Sequence, residues 1–256
     1  LGLSGGKLLV DTKDSSQFIS GLLMVAPFAQ KPMDISLTQT RRQSYIDMTI
    51  KMMQDFGADV KSLDKDSYFI SNNKKYTPIE YNIEPDASTA SYFFAIAALS
   101  GGEIRVPNLD YKKSLQGDVG FLGVLEQMGC EISYIKGQDI GYTQVKGPKF
   151  LKGFGLDNPI DVSAFSDTFM TLAAIAPFAD KPVHIKGISH TRKQESDRVH
   201  AIAVGLEKLG VKVEEQVDDL IIYPADKDQL HGAVVSSFHD HRIAMSFLIA
   251  GLKSSQ

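Results

Sequence analysis

Asp167-Thr-Phe-Met-Thr-Leu-Ala-Ala-Ile-Ala-Pro-Phe-Ala179, followed by His184-Ile-Lys186, decides how this chain is built. A short polar residue opens an apolar helix, a proline with no N–H stops it, and a strand-like triplet follows. The construction recurs. Gln17 opens a helix that runs into Ala-Pro-Phe-Ala29 and then Asp34-Ile-Ser36; Asp86 precedes one that runs to Leu99 and then Glu103-Ile-Arg105. In all three the polar residue lies 18 positions before the strand's isoleucine. The expected helices are 17–26, 89–99 and 168–176.

A second helix follows in each repeat and closes at Gly57, Gly129 and Gly210. Stepping back 1, 4 and 8 residues from these glycines gives Phe56, Met53, Thr49; Met128, Leu125, Phe121; and Leu209, Leu206, Ile202. That is one apolar helix face with a single departure at Thr49. Short alternating stretches come next, at Ala58-Asp-Val60, Cys130-Glu-Ile132 and Val211-Lys-Val213, and a further strand is clearest at Leu220-Ile-Ile-Tyr223. The expected fold class is α/β (α+β), made of repeated βαβαββ units of about 70 to 80 residues. A fourth copy opens at Phe238-His-Asp-His-Arg242 and continues as a helix over 243–252. Such units pack in layers, helices buried and sheets outside, with loops on a common rim where distant polar residues can converge.

The richest of these loops is His190-Thr-Arg-Lys-Gln-Glu-Ser-Asp-Arg198, ahead of an amphipathic helix over 199–209. Two arginines, a histidine and a carboxylate can hold an anion and keep an acid–base group beside it. The plainer reading is a solvated helix start with Ser196 as N-cap. Asp14-Ser-Ser-Gln17 offers hydroxyls and free N–H groups at a helix start, suited to phosphate or to capping alone. Asp167 and Asp86 also read as N-caps. His239-Asp-His241 lacks a third spaced ligand, so no metal site is expected.

Composition narrows the function classes. Among 256 residues the net charge is −4 with signs interspersed, which argues against nucleic acid and anionic membranes. Apolar runs such as 18–29 and 243–252 are too short to span a bilayer. Cys130 is the sole cysteine, excluding an internal disulfide and any multi-cysteine metal site, and fits a reducing cytoplasm as a buried inert thiol. The chain opens on Leu1 with little before Ser15, so a fragment is expected.

Six segments together resemble the 5-enolpyruvylshikimate-3-phosphate synthases. They are Ser15-Ser-Gln-Phe18, Tyr45-Ile-Asp-Met-Thr49, Glu84-Pro-Asp-Ala-Ser88, Leu115-Gln-Gly-Asp118, Glu195-Ser-Asp-Arg198 and Asp240-His-Arg-Ile-Ala-Met245, in family order. The resemblance implies two globular domains of three units each, closing on substrates at their interface. Residues 1–82 would be the last unit of one domain and 83–256 most of the other, in units of about 83–155, 156–230 and an incomplete 231–256. The implied reaction moves the enolpyruvyl group of phosphoenolpyruvate onto the 5-hydroxyl of shikimate 3-phosphate, by addition–elimination, with no metal or organic cofactor. Small-molecule substrates are the implied partners, with no nucleic acid or membrane, and the full-length protein would be a monomer.

Carried over residue by residue, the resemblance makes Ser15 and Ser16 binders of the 3-phosphate and places Gln17 between the two substrates. Tyr45 would border shikimate 3-phosphate, and Asp167 would contact its ring hydroxyls and act as base. Glu195 would be the proton-transfer group, with Arg198 and Arg242 clamping phosphoenolpyruvate and His241 supporting them. Gln194, His190 and Arg42 stand where many members carry lysine, asparagine and serine, and would also face shikimate 3-phosphate. The family's early lysine–arginine pair, glycine-rich loop and late lysine would lie before Leu1 or after Gln256. The 256-residue chain alone is therefore expected to turn over little or nothing. Two alternatives stay open: a fragment that folds and binds shikimate 3-phosphate only, and an enolpyruvyl transferase acting on a UDP-sugar.

Overall fold

The computed structural model describes residues 2–254 except 13–16, 39–42, 74 and 227, and only the backbone of Gln43. Ser15, Ser16 and Arg42 thus lie outside the described residues. The chain divides into two compact units, Leu1–Ile83 with Leu115–Gly117, and Glu84–Ser114 with Asp118–Gln256.

Unit 1 contains β1 (Gly6–Val10), α1 (Gln17–Val25), β2 (Met33–Leu37), α2 (Gln43–Asp55), β3 (Val60–Asp64) and β4 (Ser67–Ile70). Its sheet runs β1-β2-β4-β3, with β1 and β2 parallel and the other pairs antiparallel. Strand alternation sends Met33, Ile35 and Leu37 inward, where they meet Ile19 and Leu23 of α1 and Ile46, Ile50 and Met53 of α2. Thr49, the odd residue on that helix face, donates its hydroxyl to the Tyr45 carbonyl at 2.8 Å and lies 3.1 Å from the Ser20 hydroxyl. α1 is less enclosed than expected, since Phe18, Met24 and Val25 stay exposed. Within its unit the helix against it is α2.

Unit 2 contains α3 (Ala87–Ser100), β5 (Glu103–Pro107), α4 (Gly120–Gln127), β6 (Glu131–Ile135), β7 (Tyr142–Lys146), β8 (Gly155–Asp161) and α5 (Phe169–Ile175). It continues with β9 (Val183–Lys186), α6 (Arg198–Lys208), β10 (Val213–Glu215), β11 (Asp219–Ile222) and α7 (His241–Ala250). The sheet β8-β9-β11-β10 repeats the unit 1 pattern, parallel pair included. The sheet β5-β7-β6 has three strands, because no strand forms among the described residues between Ile70 and Ala87. Pro78 and Pro85 interrupt that segment and cannot donate to a ladder. α5 lies at the centre, buried at every residue and packed on α3, α6 and α7.

The strands after the closing glycines start later than the alternation predicts. Ala58, Cys130 and Val211 donate their N–H back to Met53, Leu125 and Leu206 of the preceding helix instead of to a ladder. With Gly57, Gly129 and Gly210 at positive φ, each helix ends in the same left-handed cap. Cys130 is buried in this cap, and burial pushes its thiol up to about 12, far from a nucleophile's range.

Candidate active site

Unit 2 brings five helix starts to one place. Asp86 caps α3, accepting from the Ser88 N–H at 2.9 Å, and Asp118 sits in the turn leading into α4. Asp167 lies in the 3₁₀ turn before α5, Arg198 is the first residue of α6, and Arg242 is the second of α7. Side chains stitch these starts together. The buried Ser88 hydroxyl donates to Asp118, and Asp167 stands 3.5 Å from both Arg198 and Arg242 through its two oxygens. Helix N-termini carry positive dipole ends, so the convergence favours negative charge there.

Arg198 is the centre of the cluster. Its side chain is 2% exposed, an unusual place for a guanidinium, and donors on every side are engaged. Nε donates to Asp240 at 2.8 Å, one terminal nitrogen to Glu195 at 2.6 Å, and the other to Gln194 and Asp167. Asp240, 1% exposed, accepts in addition from the Ser196 hydroxyl at 3.1 Å and from the Arg242 N–H at 2.9 Å as N-cap of α7. Burial alone would raise the Asp240 carboxyl. The Arg198 hydrogen bond, the Arg242 N–H and the Arg198 charge outweigh it and hold the group below the usual range. Phe238 and His239, both at positive φ, turn the chain so that Asp240 meets the start of α7. Bulky residues there are strained by about 1–3 kcal/mol each.

Arg242 faces a second set of groups. Burial disfavours its cation, but Asp167, Tyr92 and Asp118 reverse that and raise it. Asp118 is driven the other way. Burial is the main cause, Asp167 adds repulsion, and its carboxyl is pushed up to about 6. Asp118 therefore sits near one arginine as a carboxyl that takes up a proton more readily than an ordinary aspartate. His190 projects from a 3₁₀ turn (Ser189–Lys193) and shares a 2.9 Å hydrogen bond with the buried Ser166 hydroxyl, one residue before Asp167.

The structure thus brings together Asp167, Gln194, Glu195, Arg198 and Arg242, with His190 reached through Ser166. His241 is the exposed first residue of α7. In unit 1, Gln17 is the exposed first residue of α1 and Tyr45 is half-buried in the first turn of α2. Two capping expectations are corrected. Asp197, not Ser196, caps α6 through the His200 N–H, because the Ser196 hydroxyl is turned to Asp240. Asp167 lies inside the 3₁₀ turn rather than at a cap position, which Phe165 and Thr168 occupy, and its oxygens face the two arginines.

Asp118, Asp240 and Ser166 had no assigned role in the sequence reading. The first two fall inside Leu115–Asp118 and Asp240–Met245, segments singled out for their motifs. The pairing of Asp240 with an arginine 42 residues away leaves no local signal.

Against known proteins, residues 2–256 match the family model for EPSP synthase (3-phosphoshikimate 1-carboxyvinyltransferase). A 3-phosphoshikimate 1-carboxyvinyltransferase of Trichormus variabilis is 44% identical over 252 residues, 98% of this chain and 56% of the relative. One of Methanoculleus marisnigri is 40% identical over 251 residues, 98% of this chain and 57% of the relative. Among solved structures, EPSP synthase from Acinetobacter baumannii superposes with a TM-score of 0.79 at 27% identity, covering 99% of this chain and 57% of that one. The enolpyruvyl transferase NikO from Streptomyces tendae shares the fold, at a TM-score of 0.68 and 15% identity over 96% of this chain and 57% of its own. The chain spans somewhat more than half the length of the relatives it matches. With its repeated α/β units and this match over nearly its whole length, the chain belongs to the EPSP synthase (3-phosphoshikimate 1-carboxyvinyltransferase) family.

Proposed function

We propose that the protein carrying this chain transfers the enolpyruvyl group of phosphoenolpyruvate to the 5-hydroxyl of shikimate 3-phosphate and releases phosphate. The observation that supports this most directly is the convergence of five helix starts in unit 2, with the Asp167 carboxylate set between the Arg198 and Arg242 guanidiniums. A clamp for anions and a proton donor–acceptor pair are what addition–elimination at an enol phosphate demands.

In this reading Asp167 draws the proton from the 5-hydroxyl as its oxygen bonds to C2 of phosphoenolpyruvate. Glu195 supplies the proton that C3 gains, and takes one back when the C2–phosphate bond breaks. Arg198 and Arg242 hold the carboxylate and phosphate, with His241 beside them. His190 and Gln194 face shikimate 3-phosphate, together with Gln17 and Tyr45 of unit 1 and with Ser15, Ser16 and Arg42. Residues 1–82 serve as the last unit of one domain and 83–256 as most of the second. The protein works as a cytoplasmic monomer without cofactor.

The test is phosphorus NMR of the purified protein with both substrates. Inorganic phosphate and the enolpyruvyl product are expected to appear together, and Glu195→Gln to suppress both. For the 256-residue chain alone, where little turnover is expected, the readout is broadening of the shikimate 3-phosphate resonance that Asp167→Ala abolishes. Absence of turnover in the first and of broadening in the second refutes the assignment, and protection by a UDP-sugar alone would transfer it to that substrate class.

A further inference from the structure

We propose that Arg192 is a positioning residue, locking the segment that carries Gln194 and Glu195 onto the turn between β10 and β11. The inference rests on the enolpyruvyl-transfer reading for what that segment binds. Its structural content stands apart from it.

Arg192 lies in the same nine-residue loop as the candidate groups, yet its described partners are on the far side. Nε donates to the Val217 carbonyl at 3.0 Å, and a terminal nitrogen donates to the Gln216 carbonyl. The other terminal nitrogen bonds both oxygens of Asp197, at 3.0 and 3.1 Å, and Glu215 at 2.7 Å. Gln216 and Val217 form the tip of the β10–β11 hairpin, closed by the Gln216 N–H on the Asp219 carbonyl at 2.9 Å. The same tip holds the loop's entry: the Asp218 carboxylate accepts from the Ser189 N–H at 2.7 Å, and its carbonyl from the Ile188 N–H at 3.3 Å. Asp197 in turn caps α6 through the His200 N–H, and His200 shares a 3.0 Å contact with Glu215.

The consequence is mechanical. Arg192 draws the loop outward to the hairpin while Arg198, six residues on, draws it inward to Asp240. Gln194 and Glu195 are stretched between two anchored arginines, and both rest on Arg198. Glu195 is itself on an exposed side chain, so the anchors rather than burial fix where it stands. The planar guanidinium suits this role because one group must satisfy two carbonyls and two carboxylates at once. Lysine's single ammonium has no such fork. Without Arg192 the Asp197 and Glu215 carboxylates would lose the one guanidinium they share.

The test compares the parent chain with Arg192→Gln, Arg192→Lys and, as a milder perturbation that keeps the arginine, Glu215→Gln. Two readouts are taken: amide hydrogen exchange by residue, and shikimate 3-phosphate affinity by phosphorus line broadening. In Arg192→Gln, exchange at Thr191 and Gln194 is expected to quicken about 10-fold or more while α5 and β9 stay unchanged. The dissociation constant should rise about 10-fold, as it does when binding groups are misplaced by a fraction of an ångström. Arg192→Lys and Glu215→Gln should fall between. Unchanged loop exchange, or a quickened loop with unchanged affinity, overturns the proposal. If the parent chain binds no shikimate 3-phosphate, the substrate reading fails and the exchange arm alone decides the brace.

Discussion

Replacing Arg198 with methionine would remove the charge at the centre of the cluster while keeping most of its volume. The contacts are not equal in weight. Glu195 is about half exposed, and its attraction to Arg198 is screened by water, contributing no more than about 1 kcal/mol. Asp167, at 3.5 Å and partly exposed, retains Arg242 as a partner. Asp240 is different: it is 1% exposed and its ionised form depends on Arg198. Stripping one member from such a buried pair costs about 3–5 kcal/mol. For a unit of this size that lowers the midpoint of thermal unfolding by about 6–20 °C.

The sign with pH is fixed by the same pair. In the parent chain Asp240 is depressed, so its contribution is present above the unfolded carboxyl value and is lost as pH falls through the folded one. In Arg198→Met only the Arg242 N–H and the Ser196 hydroxyl still oppose burial, so the Asp240 carboxyl rises and the variant falls further behind the parent as pH climbs. The deficit between the two proteins is therefore greatest near neutrality and shrinks towards pH ~4. Adding Asp240→Asn should recover about 1–3 kcal/mol at neutral pH, because the stranded charge is gone. The chain has no tryptophan, so scanning calorimetry from acid to neutral pH is the assay. A deficit under about 1 kcal/mol at neutral pH, or one that does not change with pH, would refute the claim that Asp240 depends on Arg198.

Asp118→Asn should stabilise the fold at pH above ~6 by up to about 3 kcal/mol, since burial lifts this carboxyl from 3.8 to about 6 and opposes its ionisation there. A raised carboxyl contributes its stability below the unfolded value and loses it as pH rises through about 6, so parent and variant should converge in acid, measured as midpoint against pH. Asp167→Asn, which keeps the shape of the side chain but not its charge between the two arginines, should abolish shikimate 3-phosphate broadening in the phosphorus spectrum while the protein still unfolds cooperatively. Gly147→Ala would place a Cβ 2.0 Å from the Ala97 carbonyl oxygen at the end of α3, and should cost about 1–3 kcal/mol by denaturant titration.

The frame of the molecule was legible because its causes are local and repeated. A polar opener, a proline stop and a closing glycine each act within a few residues, so the offsets in Gln17, Asp86 and Asp167 predicted where helices begin. The same locality explains what was misplaced. Nothing in Ala58-Asp-Val60 or Cys130-Glu-Ile132 tells the alternating residue after the glycine to donate back to its helix, because that bond depends on the left-handed glycine itself. Pro78 and Pro85 stand in plain view, but the repeat pattern outweighed them and an opening strand was expected where none is described.

In the site, residue types were legible and their pairings were not. Arg198, Glu195 and Arg242 could be singled out by motif. That Arg198 is buried and tied to Asp240, or that Ser196 serves Asp240 rather than the helix cap, depends on α6 and α7 packing their starts together around α5. Asp118 shows why such pairings matter chemically. Its acidity is set by burial and by Asp167, a residue 49 positions away, and only the packing of α3, α4 and α5 makes the two neighbours. A motif can name a carboxyl; the fold decides whether it holds a proton at neutral pH. The acidity of Asp118, pushed up to about 6, is therefore a property of unit 2 as packed, and belongs to no segment of the sequence alone.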